Sequence, residues 1–437
     1  MSEVKLEDIV SLAKRRGFIY PGSDVYGGLS GTWDYGPLGV ALKKNIMNLW
    51  WKMFVEDVED MLGVDAAILM NQKVWQASGH VDTFTDPLVE CSNCHARHRA
   101  DKLDDPNKCP TCGKEGTFGE ARAFNMMFQT NVGPVQDDNS ISYLRPETAQ
   151  GIFTNFKNVV DSFYPDVPFG IAQQGKAFRN EISPRDFIFR SREFEQMEIE
   201  YFVHPDQWET SFEMWVARVH EWCRALGLPD DMVHELEVEE ADRAHYSKRT
   251  IDFEFDFPIG REELLGLAYR TDFDLKNIER VSKKSMEYRP KDGSAPFVPH
   301  VIEPSFGVER TLMAVLTAAY KEDEINGEKR IYLQLPTHLA PVKVAVLPLV
   351  KNKPELVAKA REVYAMLKSE VGNVLWVDTG NIGKNYRKMD EIGVPYCVTV
   401  DFETLEGDTA GTVTVRHRDT TEQERVAVHD LRTKLKG

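Results

Sequence analysis

The sequence predicts an α+β fold in which an antiparallel sheet flanked by helices carries a small cysteine-rich insertion and is followed by a C-terminal α/β domain. Three observations carry this prediction. Strand-like runs at 169–181 and 192–202, FGIAQQGKAFRNE and REFEQMEIEYF, flank a polar loop, as the arms of an antiparallel hairpin do. Four of the six cysteines fall in two CxxC pairs inside a polar stretch. Beyond Pro336 buried strand runs alternate with helical patterns, the mark of an α/β module.

The elements follow in chain order. Leu6, Ile9, Val10, Leu12 and Ala13 form the apolar stripe of a short helix, and a glycine-rich turn region spans 22–31. Tyr35-Gly-Pro-Leu-Gly39 opens a stronger helix with Leu42, Ile46, Leu49, Trp50 and Phe54 on one side. The cysteine-rich insertion covers about 85–118, and from 124 to 201 short β-type runs alternate with turns. Residues 205–246 are read as a tryptophan-rich helical insertion. Strand patterns return at TIDFEFDFP and LAYRTDFDL, and the polar segment 276–296 is read as a loop. VIEPSFGVERTLMAVLTAAY then gives a strand, a tight turn and a long apolar helix. In the C-terminal region VKVAVLPLV, VLWVD, PYCVTVD and TVTVRHR read as strands, with a helix opened by Pro354 and a final helix. The expected division is a first domain over 1–334 and a second over 335–437.

Composition narrows the class. With 42% apolar, 28% charged and 10% aromatic residues the chain is an ordinary globular protein, which excludes disordered and fibrous types. No run approaches the ~20 apolar residues of a membrane span, and the opening MSEVKLEDIV lacks a basic then apolar leader pattern. A cytoplasmic protein without a membrane partner is expected. The net charge of -17 disfavours a polyanionic partner, yet residues 335–437 hold 15 Lys and Arg against 14 Asp and Glu. The acidity therefore belongs to the first domain.

Cys91 and Cys94 are separated from Cys109 and Cys112 by fourteen residues. Two such knuckles supply four thiolates to one tetrahedral Zn2+, in a ribbon too small to bury a core of its own. The alternative is a reduced, metal-free loop. His95 and His98 lie nearby, but four sulfurs already complete the coordination shell. Cys223 and Cys397, in apolar stretches, read as core residues.

No GxGxxG follows a strand, and Gly380-Asn-Ile-Gly-Lys384 is too short for a phosphate-cradling loop, so a nucleotide site must be built from side chains on a sheet. Period-two geometry puts Arg179 with Glu181, and Phe194 with Gln196 and Glu198, on one face of the hairpin. Arg suits a phosphate, Phe a base, and Glu an exocyclic amine. A charged, solvated edge hairpin is the competing explanation.

Phe178-Arg-Asn-Glu181 with the return from Arg190 to Glu198 resembles motif 2 of the class II aminoacyl-tRNA synthetases. Gly307-Val-Glu-Arg310 resembles motif 3, and Tyr35 to Gly39 with its helix resembles motif 1, the dimer element. YGGLSGTWDYGPLG, ASGH, RADKL, NMMFQT, YLRPETAQGIF, YRTDFDL, VIEPSFG and GNIGKNYRKMDEIGVP resemble the homodimeric glycyl-tRNA synthetases in particular. The likeness runs from about Leu6 almost to the C-terminus. It implies a class II antiparallel sheet with a zinc-ribbon insertion, a C-terminal anticodon-binding domain, a homodimer, and ligation of glycine to tRNA(Gly) with ATP and Mg2+.

The same resemblance implies site residues. Arg179 would meet the α-phosphate and Arg310 the γ-phosphate, as the two catalytic groups. Further ATP contacts are implied at Asn180 and Glu181, at Phe189, Arg190, Ser191, Arg192, Glu193 and Phe194, at Glu263 and Leu264, and at Gly307, Val308 and Glu309. Glu309 is expected on the solvent side of its helix turn. Glycine contacts are implied at Arg99 and Glu147, along Phe194, Glu195, Gln196, Met197 and Glu198, and along Glu303, Pro304, Ser305, Phe306 and Gly307. Glu147, Glu198 and Glu303 form the implied ammonium pocket, and Ser305 closes off side-chain space. Read without the family, Glu147 and Glu303, each beside a proline in a turn, are better explained as helix-start or surface carboxylates. Lys384, Tyr386, Arg387 and Lys388 would face RNA or simply end a solvated helix. A non-catalytic, synthetase-like nucleic-acid-binding subunit is the rival from another class, disfavoured by the complete set of arginines and acids.

Overall fold

A computed structural model describes residues 4–137, 140–325 and 327–435. At its centre lies a seven-stranded sheet in the order Val233–Glu237, Arg249–Phe257, Gly260–Thr271, His300–Gly307, Glu193–Val203, Phe169–Phe178, Met61–Gly63. Every neighbouring pair is antiparallel except the last. Strand Glu193–Val203 shows how sequence sets the two faces. Met197, Ile199, Tyr201 and Val203 enter a core shared with helices Pro37–Trp51, Trp208–Ala225 and Val308–Ala319. Phe202, on the other face, packs with Phe153 and Phe156 of helix Ala149–Phe163 and Leu275 of helix Phe273–Ser282. Between Phe194 and Phe202 that second face carries Gln196, Glu198 and Glu200. The polar stretch is the floor of the site.

The first core is aromatic. Phe54 stacks on Trp215 at 5.8 Å, and Trp50 meets Phe306 edge-on at 5.9 Å. Each such ring contributes roughly 2 to 3 kcal/mol through burial alone. Gly39 explains the second glycine of Tyr35–Gly39: a Cβ there would lie 1.8 Å from the Phe18 carbonyl oxygen, so only glycine lets this helix approach that strand end. Helix Val308–Ala319 is buried at every position except Arg310.

Three elements differ from the sequence reading. The segment 205–246 is α-helical only over Trp208–Ala225, with single 3-10 turns at Pro205–Gln207 and Asp230–Met232, and Val233–Glu237 then adds an edge strand. Residues 149–163, read among β-type runs, form a helix whose apolar stripe covers the sheet. Strand Gly260–Thr271 stops before Phe273, and helix Phe273–Ser282 takes up the start of the segment read as a loop. A buried charge drives that last change: turning into a helix brings Asp274 back onto Arg270.

The cysteine-rich insertion is built on a three-stranded sheet, Arg97–Arg99, Thr85–Glu90, Arg122–Asn125. The C-terminal sheet has the order Val374–Trp376, Val344–Pro348, Tyr396–Val400, Thr412–His417, Gln423–Ala427, parallel in its first two pairs. Helix Pro354–Glu370 covers it with Leu356, Ala360, Val363 and Leu367.

Candidate active site

Two adjoining cavities of about 230 and 290 Å3 open on the polar floor. Both are lined by Arg179, Gln196, Glu263 and Ser305. The first adds Arg99, Glu181, Phe189, Arg190, Ser191, Phe194, Leu264, Gly307, Glu309 and Arg310, and the second adds Glu147, Glu198 and Glu303. Strand register assembles the floor: Gln196 lies opposite Gly307 and Glu198 opposite Ser305, which in turn faces Gly266.

The first cavity is basic. Strand Phe169–Phe178 ends before Arg179, so Arg179 and Glu181 reach the cavity from the loop and not from alternate strand positions. The Arg179 Nε donates to the Pro146 carbonyl at 3.1 Å, and its guanidinium lies between the rings of Phe84 and Phe194 at 5.5 and 5.3 Å. No carboxylate comes within ion-pair distance of it among the described residues, which leaves its remaining donors for an anion. Arg310 sits 4.6 Å over Phe189 and pairs with Glu263 at 2.8 Å. That guanidinium holds the Glu263 carboxyl below its usual range against the effect of burial. Burial raises the Glu181 carboxyl while Arg190 and Arg179 pull the other way, and its Oε2 is buried without a hydrogen-bond partner. An N–H donor is what such an atom lacks.

The second cavity is acidic. Ser305 Oγ donates to Glu198 Oε1 at 2.8 Å, and Thr148 Oγ1 donates to Glu198 Oε2. Burial, then the Glu147 charge, raises the Glu198 carboxyl. Burial works against Glu147 too, but His80 at 3.3 Å holds that carboxyl well below its ordinary range. Glu303 accepts from Arg270 Nη1 at 2.6 Å; burial nevertheless pushes it up to about 8, with Glu198 and Glu147 adding to the rise. Arg270 is 1% exposed, gives two further bonds to Asp274 at 2.8 and 2.9 Å, and lies 3.8 Å over Tyr246. Glu200, wholly buried beside them, has both carboxyl oxygens unpartnered. Glu147, Glu198 and Glu303 thus line one cavity whose chemistry suits a small cation.

Other residues singled out in the sequence lie elsewhere. Glu195 and Met197 point through the sheet, Glu195 to Lys43 at 3.0 Å and Met197 into the core. Phe306 and Val308 are core residues as well. Arg192 is spent on the carbonyls of Glu181 and Ser30, and Glu193 on Lys176. The Asn180 amide donates to the Met126 carbonyl, and Pro304 is buried within its strand. Glu309 is corrected outright: it is buried, accepts from Tyr35 Oη and the Glu195 amide at 2.9 Å each, and burial raises it to about 7. Every position of its helix except Arg310 is buried, so Glu309 does not face solvent. His80, Arg270, Asp274 and Tyr246 were missed. A lone arginine inside the apolar run LLGLAYRT was the available signal, because a charge in a buried strand requires partners.

The four cysteine sulfurs lie within 4.8 Å of one another, with Cys91 to Cys112 and Cys94 to Cys109 both at 3.7 Å. A disulfide needs ~2.05 Å, whereas a tetrahedron of Zn–S bonds near 2.3 Å puts sulfurs ~3.8 Å apart. The set fits a tetrahedral ion.

A family model described as "tRNA synthetase class II core domain (G, H, P, S and T)" matches residues 128–319, and one described as "Anticodon binding domain" matches 343–437. The glycine–tRNA ligase of Thermobifida fusca is 47% identical, over 98% of this chain and 96% of its own length. The chain belongs to the glycine–tRNA ligase family. Other members include the enzymes of Borrelia garinii subsp. bavariensis, 48% identical over 99% of this chain and 97% of its own length, and of Streptomyces coelicolor, 47% identical over 99% and 98%. The class II core match spans both cavities' arginines and acids apart from Arg99.

Proposed function

We propose that this glycine–tRNA ligase activates glycine across the two adjoining cavities. The glycine carboxylate attacks the α-phosphorus of ATP, pyrophosphate leaves, and the glycyl group then passes from the adenylate to the 3′-terminal ribose of tRNA(Gly). That carboxylate is ionised at neutral pH, with a pKa of ~3.5, so no general base is called for. Catalysis then rests on positioning and on stabilising negative charge. Arg179 receives the α-phosphate and Arg310 the γ-phosphate, Phe194 stacks the adenine, and the unpartnered Glu181 Oε2 accepts from its amine. Mg2+, when bound, shields the phosphate charge, and Glu263 is the carboxylate beside Arg310 suited to hold it. Glu147, Glu198 and Glu303 take the ammonium, and Ser305, tied to Glu198, narrows the space beside the methylene. Every competing amino acid is larger, so steric exclusion suffices without editing.

The observation that carries this reading is the unpaired Arg179 at the junction of a basic and a buried acidic cavity. Support for the remaining partners comes from the family. The anticodon-binding match favours tRNA(Gly), the motif 1 helix a homodimer, and the cysteine geometry a structural Zn2+. No helix among the described residues is long and apolar enough to cross a membrane, in keeping with a cytoplasmic enzyme.

Pyrophosphate exchange into ATP tests it. Glycine should drive exchange while alanine and serine do not, and Arg179→Ala should lower kcat/KM by a factor of about 100 or more. Exchange at the native rate in that variant removes Arg179 from its role.

A further inference from the structure

The cysteine ribbon reaches the substrate cavity through Arg99. We propose that the metal-loaded cysteine knuckle is the clamp that holds Arg99 in the wall of the active cavity, so that metal loading sets the affinity for an anionic substrate group. This deepens the reading above and rests on it, together with the glycine contact that the family resemblance implies for Arg99.

The first knuckle is itself the turn of a hairpin. The Cys91 amide donates to the Ala96 carbonyl at 2.9 Å and the His95 amide to the Cys91 carbonyl at 2.8 Å. From this turn strands Thr85–Glu90 and Arg97–Arg99 run back together, Glu90 opposite Arg97, Val89 opposite His98 and Leu88 opposite Arg99. At the far end of the hairpin Arg99 Nη1 pairs with Asp86 at 2.8 Å, Nε and Nη2 reach Asp101 at 3.2 and 2.8 Å, and the side chain lines the cavity with Arg179 and Glu181. The same strand is tied to the loop after Arg179, since Ser183 Oγ donates to the Arg97 carbonyl at 2.9 Å.

Little else holds this hairpin in register. None of its residues belongs to the hydrophobic clusters that stabilise the body and the C-terminal sheet. The second knuckle is a polar turn in which the Cys109 amide donates to the Lys114 carbonyl. Leu88 and Val89 are buried outside those clusters, and a three-stranded sheet with so small a core leans on its cross-link. Losing the cross-link frees the turn, the strand pairing that sets the direction of Arg99, and with them the guanidinium itself. An exposed zinc ribbon serving only tRNA would leave substrate affinity untouched.

The experiment compares four forms of the full-length protein: native, chelator-stripped, Arg99→Ala, and Cys109→Ser with Arg99→Ala. Metal content is measured in each, and glycine and a non-hydrolysable ATP analogue are titrated separately by calorimetry. Stripping should weaken binding of one of these ligands about as much as Arg99→Ala does, roughly tenfold. Added Zn2+ should restore it, and the double variant should bind as Arg99→Ala alone. A loss confined to glycine assigns Arg99 to the carboxylate, and one confined to the analogue assigns it to phosphate. Native affinities in the stripped protein, or losses that multiply in the double variant, overturn the inference alone. Native affinities in Arg99→Ala overturn the reading of Arg99 itself and the inference with it.

Discussion

Arg310 is the one residue of its helix that escapes burial, and it escapes into the cavity. Around it the chemistry of single residues is set by low dielectric more than by sequence type. Glu303 shows the consequence. Burial pushes its carboxyl up to about 8 although Arg270 pulls it down, so in the empty site it carries a proton through much of the neutral range. An ammonium needs the ionised form. Glycine affinity should therefore rise as pH increases from about 6.5 through 8, and KM for glycine measured in exchange should fall over that window. Glu303→Gln should flatten the dependence and weaken glycine by about ten- to a hundredfold. A wild-type affinity independent of pH across that window would contradict this. At this scale the sequence was legible where alternation applies: Phe194, Gln196 and Glu198 share a face because strands have period two. It was not legible for Arg270 and His80, whose meaning lies in partners distant along the chain, nor for the inward turn of Glu309.

At the scale of elements, the hairpin Tyr320–Ile325 and Glu328–Leu333 joins the catalytic sheet's helix to the C-terminal module. Its Arg330, 2% exposed, donates to the Arg418 carbonyl at 2.7 Å, to Asp390 at 3.2 Å and to Asp323 at 2.8 Å. Asp390 is also held by Arg416 at 2.8 and 2.9 Å, and so stays satisfied without Arg330. Helix Ile382–Glu391, which carries Asp390, thereby docks on the hairpin. Tyr386 bonds Thr399 and Arg387 pairs with Glu328, leaving Lys384 and Lys388 as its exposed cations. Arg330→Met should loosen this docking by about 1 to 2 kcal/mol, chiefly through the bond lost to the Arg418 carbonyl. Aminoacylation should then fall while glycine-dependent exchange persists, and faster proteolysis near 326–343 should accompany the fall. Equal loss in both half-reactions would place the damage in the catalytic sheet. The hairpin escaped the sequence reading because 320–333 is highly charged, and the helix over 149–163 because its stripe is interspersed with polar residues. Long apolar helices and strands with clean periods were recovered.

Across the whole molecule, a sheet with one face fully packed and the other partly open offers a rigid floor on which arginines from loops and helix can meet acids from strands. The shared face of Phe194, Gln196 and Glu198 was foreseeable from residue alternation, and the family from motifs scattered along the chain. The joining of ribbon to cavity was implied only by the resemblance, because Arg99 sits far from Arg179 in sequence and is brought beside it by the knuckle's hairpin and the tie to Ser183. The claim on which the account rests is that one small amine occupies the acid cluster while a nucleotide lies against Arg179 and Arg310. A crystal structure with glycine and a non-hydrolysable ATP analogue measures this directly. The ammonium should lie within hydrogen-bond distance of at least two of Glu147, Glu198 and Glu303, with phosphate oxygens on Arg179 and Arg310. An ammonium bound outside those carboxylates, or phosphates that leave Arg179 without an anion, would contradict it.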